Sequence, residues 1–191
     1  MTAFTITIDP VGMLTDEAFY QLCLANPEIR FERSAKGELI IMAPTGGESG
    51  RRNANITTDL TIWNRQSELG YTFDSSTCFK LPNGAERSPD AAWIERSRWD
   101  SLSDEERQKF PPIAPDFVIE LRSATDSLTM IQAKMQEYLV NGVRLGWLIN
   151  PQDQTVEIYR FGQSVEVRQN IAQVSGEDVL PGFTLDLNRI I

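Results

Sequence analysis

Hydrophobic and polar positions alternate in several short stretches of the chain, which is typical of half-buried β-strands. Residues 3–8 (AFTITI) show the first such stretch. Residues 29–44 (IRFERSAKGELIIMAP) contain two alternating runs around Ser34–Gly37, which predicts a β-hairpin. Further strands are predicted at Tyr71–Phe73, Cys78–Leu81, Asp90–Ile94, Phe117–Leu121, 144–149, 155–161 and 164–169.

Other stretches carry apolar residues three or four positions apart, the spacing of an amphipathic helix. Within residues 51–70, Ile56, Leu60 and Trp63 follow this spacing, and the preceding TGGESG (45–50) is expected to be a flexible break. Further helices are predicted from Thr15 or Asp16 to about Leu24, over the polar residues 97–110, and over residues 126–141, where Asn141–Gly142 ends the helix.

Strands and helices of these lengths predict one α/β domain over residues 1–191, with a mixed β-sheet flanked by helices. The longest apolar runs are a few residues, so no membrane span or membrane partner is expected. The N-terminus shows no secretory signal, and Cys23 and Cys78 are far apart in sequence. A cytoplasmic protein with two reduced thiols is therefore expected.

Composition narrows the chemistry further, because the chain contains no histidine. Ser-His-Asp and Cys-His nucleophile activation and His-based zinc proteolysis are therefore excluded. With 27 Asp and Glu residues as hard oxygen donors, Mg²⁺ or Mn²⁺ is the metal class that fits. The net charge of −9 argues against a general polyanion binder, but a local basic face or bound cations could still accommodate nucleic acid.

Two charged residues occupy positions where a core would be expected. Glu120 directly follows the apolar run Phe117–Ile119, at the end of a predicted strand, and Lys134 lies inside the edge of the apolar arc of the next helix. Lys134 could extend to solvent from the edge of the core. A buried carboxylate needs a cation, so Glu120 is expected to contact Arg122, Lys134 or a metal.

A second acid, Asp90, opens a predicted strand in SPDAAWI. Taken alone it is equally consistent with an ordinary turn-forming aspartate. Together, SPDAAWI, VIELR and the helical Lys134 resemble the PD-(D/E)xK nuclease superfamily. The segment from PDFVIELRSATD to TVEIYR most closely resembles the "Uma two" family of restriction-type endonucleases, as do PTGGESGRRN and LPGFTLDL.

This resemblance implies a restriction-endonuclease-like core with extra N- and C-terminal strands, and Mg²⁺-dependent hydrolysis of DNA. It implies that Asp90 and Glu120 bind the metal and that Lys134 is the catalytic lysine. Arg122 stands at the strand position of the superfamily lysine and is a further catalytic candidate. Glu48 could be an additional metal ligand, an exposed charge favoured by the helix dipole, or a replacement for a catalytic group.

Arg51 and Arg52 open a predicted helix and could contact phosphates, although solvated surface arginines are the simpler interpretation. Sheet edges in the C-terminal hairpin make a homodimer plausible. Two other functions remain open. The chain could be an inactive nucleic-acid-binding or assembly module on the same fold, or an unrelated α/β domain in which Glu120 and Lys134 form a structural ion pair.

Overall fold

The computed structural model describes residues 3–7 and 14–191, so residue 8 of the first predicted strand lies outside the described residues. The strands are β1 (Ala3–Ile6), β2 (Arg30–Arg33), β3 (Leu39–Met42), β4 (Gly70–Asp74), β5 (Phe79–Lys80), β6 (Glu86–Arg87), β7 (Ala91–Glu95), β8 (Phe117–Leu121), β9 (Leu145–Asn150), β10 (Thr155–Arg160), β11 (Glu166–Gln169), β12 (Gln173–Ser175) and β13 (Thr184–Asp186). The helices are α1 (Asp16–Ala25), α2 (Gly47–Ser67), α3 (Arg96–Asp100), α4 (Asp104–Gln108) and α5 (Leu128–Val140), followed by a 3-10 turn at Leu187–Arg189.

The larger sheet has six strands in the order β11-β10-β9-β8-β7-β4. Its central pair, β8 and β9, is parallel, and the other pairs are antiparallel. Helix α5 connects the two parallel strands, as such a pair requires a crossover. The predicted mixed sheet with flanking helices is confirmed.

A second, antiparallel sheet has the order β1-β3-β2-β6-β5 and contains the predicted hairpin of β2 and β3. Strands β12 and β13 form a separate two-stranded ribbon. The short strands β6, β12 and β13 were not predicted, because pieces of two or three residues are too short to show alternation. Pairing of two copies through a sheet edge stays a prediction.

Hydrophobic cores lie on both faces of the six-stranded sheet. On one face, Ile56 and Leu60 of α2 pack with Phe117 and Trp147, and Phe183 stacks on Trp147. On the other face, α5 contributes to a second core, with its fully buried Met135 among the residues involved. A strand covered on both faces reads as a continuous apolar run, which explains the sequence of β8.

The side chains of β8 alternate between these cores, and this determines where Glu120 points. Phe117 and Ile119 belong to the core under α2, whereas Val118 belongs to the core under α5. Since side chains two residues apart share a face, Glu120 lies on the α5 side with Val118. The strand therefore presents its only carboxylate to the helix that carries Lys134.

Two of the predicted helices differ from the observed ones. Helix α2 begins at Gly47, so most of the predicted flexible break is the first turn of the helix. Residues 97–110 form two short helices, because Ser103 caps the second one through a capping box with Glu106. No helix within the described residues is long and apolar enough to cross a membrane.

Two glycines provide a test of this packing. A Cβ at Gly70 would lie 2.1 Å from the Ile94 carbonyl oxygen and 2.7 Å from the Trp93 ring, whereas at Gly50 it would meet nothing within 4 Å. We expect Gly70→Ala to destabilise the protein by about 3 kcal/mol through overpacking. Gly50→Ala in α2 should instead stabilise it by up to about 1 kcal/mol. Urea unfolding of both variants measures the difference, and equal stabilities would contradict the packing at Gly70.

Candidate active site

Asp90 and Glu120 meet at the edge of the larger sheet. Strands β7 and β8 are antiparallel, and the pairing of Ala91 with Ile119 places Asp90, one residue before β7, beside Glu120. Both residues lie on the floor of a cavity of about 630 Å³. The start of one strand and the end of its neighbour thus bring together two acids that are 30 residues apart in sequence.

Lys134 joins the two sheets at this floor. Its ammonium lies 2.8 Å from Oε1 of Glu120 in β8 and 2.8 Å from Oε1 of Glu32 in β2. It also donates to the Ser88 carbonyl oxygen at 3.2 Å. The expected contact between Lys134 and Glu120 is confirmed, whereas Glu32 was not foreseen as its second partner.

The geometry of α5 explains how Lys134 reaches this position. The hydroxyl of Ser127 accepts a hydrogen bond from the Met130 N–H and caps the helix just after β8. Tyr138 lies one turn beyond Lys134 on the same side, is fully buried and donates its hydroxyl to Glu120 Oε1 at 3.0 Å. One carboxylate oxygen therefore receives hydrogen bonds from two successive turns of the helix.

Glu32 is only 2% exposed and accepts bonds from several directions. The Ser88 N–H donates to it at 2.9 Å and the Arg87 guanidinium at 3.1 Å, and Arg87 also pairs with Glu137 of α5 at 2.6 Å. Sequence reasoning missed Glu32, because a charged position in an alternating strand normally faces solvent, whereas all four residues of FERS (31–34) are buried.

Asp90 is held by hydrogen bonds on both carboxylate oxygens. The Leu121 N–H donates to Oδ2 at 2.8 Å, and the Asn53 amide of α2 donates to Oδ1 at 2.9 Å. Asn53 Oδ1 is itself buried and finds no hydrogen-bond partner among the described residues. Sequence reasoning missed Asn53, because an asparagine on a polar helix face gives no periodic signal.

These contacts shift the acidity of the cluster. Burial, together with the charges of Asp90 and Glu32, raises the pKa of Glu120 to about 7 against the opposing effect of Lys134. Burial also raises the pKa of Asp90. In Glu32 burial is outweighed by Lys134 and Arg87, and its pKa lies below the ordinary value.

The pKa of Lys134 lies above its ordinary value, because Glu120 and Glu32 together outweigh the opposing effect of burial. Its amine is therefore an ammonium at neutral pH. The cluster as a whole still carries an excess of acid. Three carboxylates contact two cations in it and Asp90 lines the same cavity, which leaves a charge of −2 if all four acids are ionised. The carboxylates are Glu32, Asp90, Glu120 and Glu137, and the cations are Arg87 and Lys134.

Glu48 and its neighbours are not part of the cluster. Glu48 has a 58% exposed side chain and pairs with Arg51 and Arg52 of its own helix at 2.6 and 3.4 Å. Within residues 3–7 and 14–191, no three Asp, Glu or Cys side chains group so as to bind a metal. Glu48 therefore does not lie with Asp90 and Glu120. An acid in the first turn of a helix pairs readily with cations three and four residues further on, as Glu48 does here.

Arg122 is likewise directed away from Glu120. Its guanidinium contacts Oδ1 of Asn150, the last residue of β9, at 3.3 Å and Oδ2 of Asp153, just beyond that strand, at 3.2 Å. Strand β8 ends at Leu121, so the alternation that would place Arg122 on the face of Glu120 does not continue. The structure thus places Lys134, and not Arg122, against the acidic pair.

Two carboxylates at adjoining strand ends and a lysine from the crossover helix thus meet at one edge of the mixed sheet. Residues 16–188 match the Uma2 family, described as "Putative restriction endonuclease". The chain belongs to the Uma2 family. No protein of curated function matches it.

A solved structure agrees with this fold. The crystal structure of a "putative nuclease belonging to DUF820" from Anabaena variabilis ATCC 29413 superposes with a TM-score of 0.73. The match covers 85% of this chain and 90% of that chain at 21% sequence identity. At this identity the likeness shows a shared architecture.

The opposite pKa shifts of Glu120 and Glu32 predict opposite effects on stability. Since the Glu120 pKa rises from 4.5 to about 7 on folding, its contribution to stability is fully present below pH 4.5 and is lost as the pH rises through 7. This loss amounts to about 3 kcal/mol. In metal-free protein, Glu120→Gln should therefore be no less stable than wild type at pH 8 and lose this pH dependence.

Glu32→Gln is the matched comparison. The lowered pKa of Glu32 contributes stability above 4.5 that is lost as the pH falls through its folded value, so this variant should be less stable at neutral pH. Thermal melting of both variants from pH 4 to 8 tests the pair. A Glu120→Gln protein that melts far below wild type at pH 8 would show that Glu120 is a structural ion-pair member.

Proposed function

We propose that the protein is a Mg²⁺- or Mn²⁺-dependent endonuclease that hydrolyses DNA phosphodiester bonds. The observation that carries this proposal is the convergence of Asp90, Glu120 and Lys134 on the floor of one cavity. Membership of the Uma2 family and the nuclease-like fold support it. The reaction needs an activated water, stabilisation of charge on the phosphorus oxygens and help for the leaving oxygen.

The donor set fits a hard divalent ion. Asp90 and Glu120 offer adjacent carboxylates, and Asn53 offers an amide oxygen that is buried without a partner among the described residues. The excess of acid in the cluster favours a cation of charge +2. We assign Asp90 and Glu120 as ligands, with Asn53 as a third oxygen donor. The ion would activate water and stabilise the negative charge of the phosphoryl oxygens.

Lys134 acts as a fixed positive charge in this proposal. Since two carboxylates raise its pKa, it remains an ammonium near neutral pH and does not serve as the base. Its ammonium can donate to a phosphate oxygen or hold a water in place. Glu32 holds Lys134 from the opposite sheet and is therefore a positioning residue.

A second candidate function is an inactive nucleic-acid-binding module on the same fold. The observation in its favour is that both carboxylates nearest to Lys134 are already engaged with it, while no group of three acids among the described residues is arranged to bind a metal. Cleavage by the purified protein separates the two functions.

We expect the protein to cleave plasmid DNA with Mg²⁺ or Mn²⁺ and not with a chelator. Asp90→Asn and Glu120→Gln should each reduce the rate by at least about 100-fold, because each removes a charged ligand oxygen. Lys134→Met should lower the rate by about 100-fold or more, the usual effect of losing one electrostatic contact to the transition state. Calorimetric titration with Mg²⁺ should show weakened binding in the two carboxylate variants.

Exposed residues of the same types serve as controls. Asp104 has a 92% exposed side chain and Lys109 a 44% exposed one, so Asp104→Asn and Lys109→Met should retain wild-type cleavage. If Arg122→Met lost as much activity as Lys134→Met, the strand arginine would be the catalytic cation. If wild type failed to cleave with either metal, the inactive module would be the better description.

Arg51 and Arg52 are proposed to contact the DNA backbone. They lie in the first turns of α2, a helix that also supplies Ser49 and Asn53 to the cavity wall. Alanine at both positions should weaken binding, and the slope of log K against log salt should fall by about 0.9 for each phosphate that is no longer neutralised. Anisotropy titrations at several salt concentrations measure this. An unchanged slope would show that both arginines pair with Glu48 and do not contact the DNA backbone.

A further inference from the structure

Strand β3 has apolar side chains on both faces, although only one face lies against a core. Leu39 and Ile41 pack with the core beneath α1, as expected for the inner face of an antiparallel sheet. Ile40 and Met42 point the other way and line the cavity above Asp90 and Glu120. An outer face exposed only to water would normally be polar.

Helix α5 supplies further apolar side chains to the same cavity. Met130 and Ile131 line it, and Met130 is 57% exposed. The N-terminal part of α5 thus presents apolar side chains to the cavity, whereas Met135 further along the helix is buried in the core. Apolar side chains from two elements therefore form a wall above a charged floor.

The cavity is too small to enclose a double helix. Its volume of about 630 Å³ corresponds to a sphere about 11 Å across, less than the roughly 16 Å that the depths of the two grooves of B-DNA add up to. Glu120 is 7% exposed and Asp90 is 8% exposed. A phosphate within an intact duplex would be held away from these buried oxygens by the rest of the duplex.

We propose that this cavity binds one DNA strand separated from its complement, with a base against the apolar wall and the adjoining phosphate at the floor. The inference rests on the proposed nuclease function and specifies the form of its substrate. The wall consists of Ile40, Met42, Met130 and Ile131. Apolar side chains recognise the face of any base, so the wall selects unpaired nucleotides with little regard to sequence.

Lysine side chains in the cavity are available to a DNA backbone. Lys36, in the turn of the β2–β3 hairpin, lines the cavity together with Lys134 at its floor, beside acids whose charge the proposed metal ion would offset. A strand separated from its complement could present successive phosphates to both lysines.

The test compares one oligonucleotide as a single strand, as a full duplex, and as a duplex with a central mismatched bubble. We expect the single strand to bind and to be cleaved at least about tenfold better than the duplex, and the bubble to restore cleavage within the mismatched segment. Equal binding and equal cleavage of single strand and duplex would overturn the inference while leaving the nuclease function intact.

Substitutions in the apolar wall test whether the single strand binds there. Met130→Ser and Met42→Ser should each weaken single-strand binding by about fivefold or more, and Met130 is exposed enough for its variant to fold. Val140→Ser is the control, since Val140 lies on the same helix, is 78% exposed and does not line the cavity. Unchanged single-strand binding by both methionine variants would contradict the proposed contact between a base and the apolar wall.

The two proposals fail in different ways. Selective binding of the single strand, with weaker binding in the methionine variants but no cleavage under any metal condition, would contradict the nuclease function and support the strand-selective cavity. Cleavage of the duplex at the single-strand rate would contradict the cavity's selectivity alone.

Discussion

The buried ammonium of Lys134, shared between Glu32 and Glu120, is the interaction on which the rest of this structure depends. Glu32 belongs to the smaller sheet and Glu120 to the larger one, while the lysine comes from the helix beside them. An unpaired charge at such a depth would be very costly, so each partner constrains where the other two elements can lie. The interaction therefore connects the larger sheet, the smaller sheet and α5 at the floor of the cavity.

The two carboxylates that share Lys134 have opposite pKa shifts. Glu32 also pairs with Arg87 and stays ionised easily, whereas Glu120 lies beside Asp90 and resists ionisation. Two carboxylates that contact the same lysine therefore differ in their affinity for protons, and by the same logic for metal ions. Glu120, the acid with the higher pKa, adjoins Asp90. A divalent ion bound there would relieve the repulsion between these two carboxylates.

Much of the architecture could be predicted from local patterns, because those patterns are caused by local geometry. The bounds of β8, the crossover helix after it and the approach of Lys134 to Glu120 all follow from period-two and period-3.6 spacing. Asp90 could be placed by its position at a strand start. The function class came instead from a resemblance to the Uma2 family. The family match over residues 16–188 confirms that resemblance.

The unpredicted parts of the site are its long-range partners. Glu32 is 102 residues from Lys134 and Asn53 is 37 residues from Asp90, and no spacing rule connects such pairs. Arg122 was a catalytic candidate because it stands at the strand position of the superfamily lysine, but β8 ends at Leu121 and the Arg122 side chain turns towards Asn150 and Asp153. Residues 97–110 were predicted as one helix because their composition is helical throughout. They contain two helices instead, because Ser103 caps the second one.

The crossover from β8 through α5 to β9 has a consequence for the order in which the molecule assembles. Glu120 and Lys134 are 14 residues apart, whereas Lys134 and Glu32 are separated by 102. Closing the longer loop costs about 2 kcal/mol more in chain entropy than closing the shorter one. The contact between the helix and its strand is therefore local, whereas the contact with the hairpin is not. The complete site needs both contacts, so its formation depends on the longer closure.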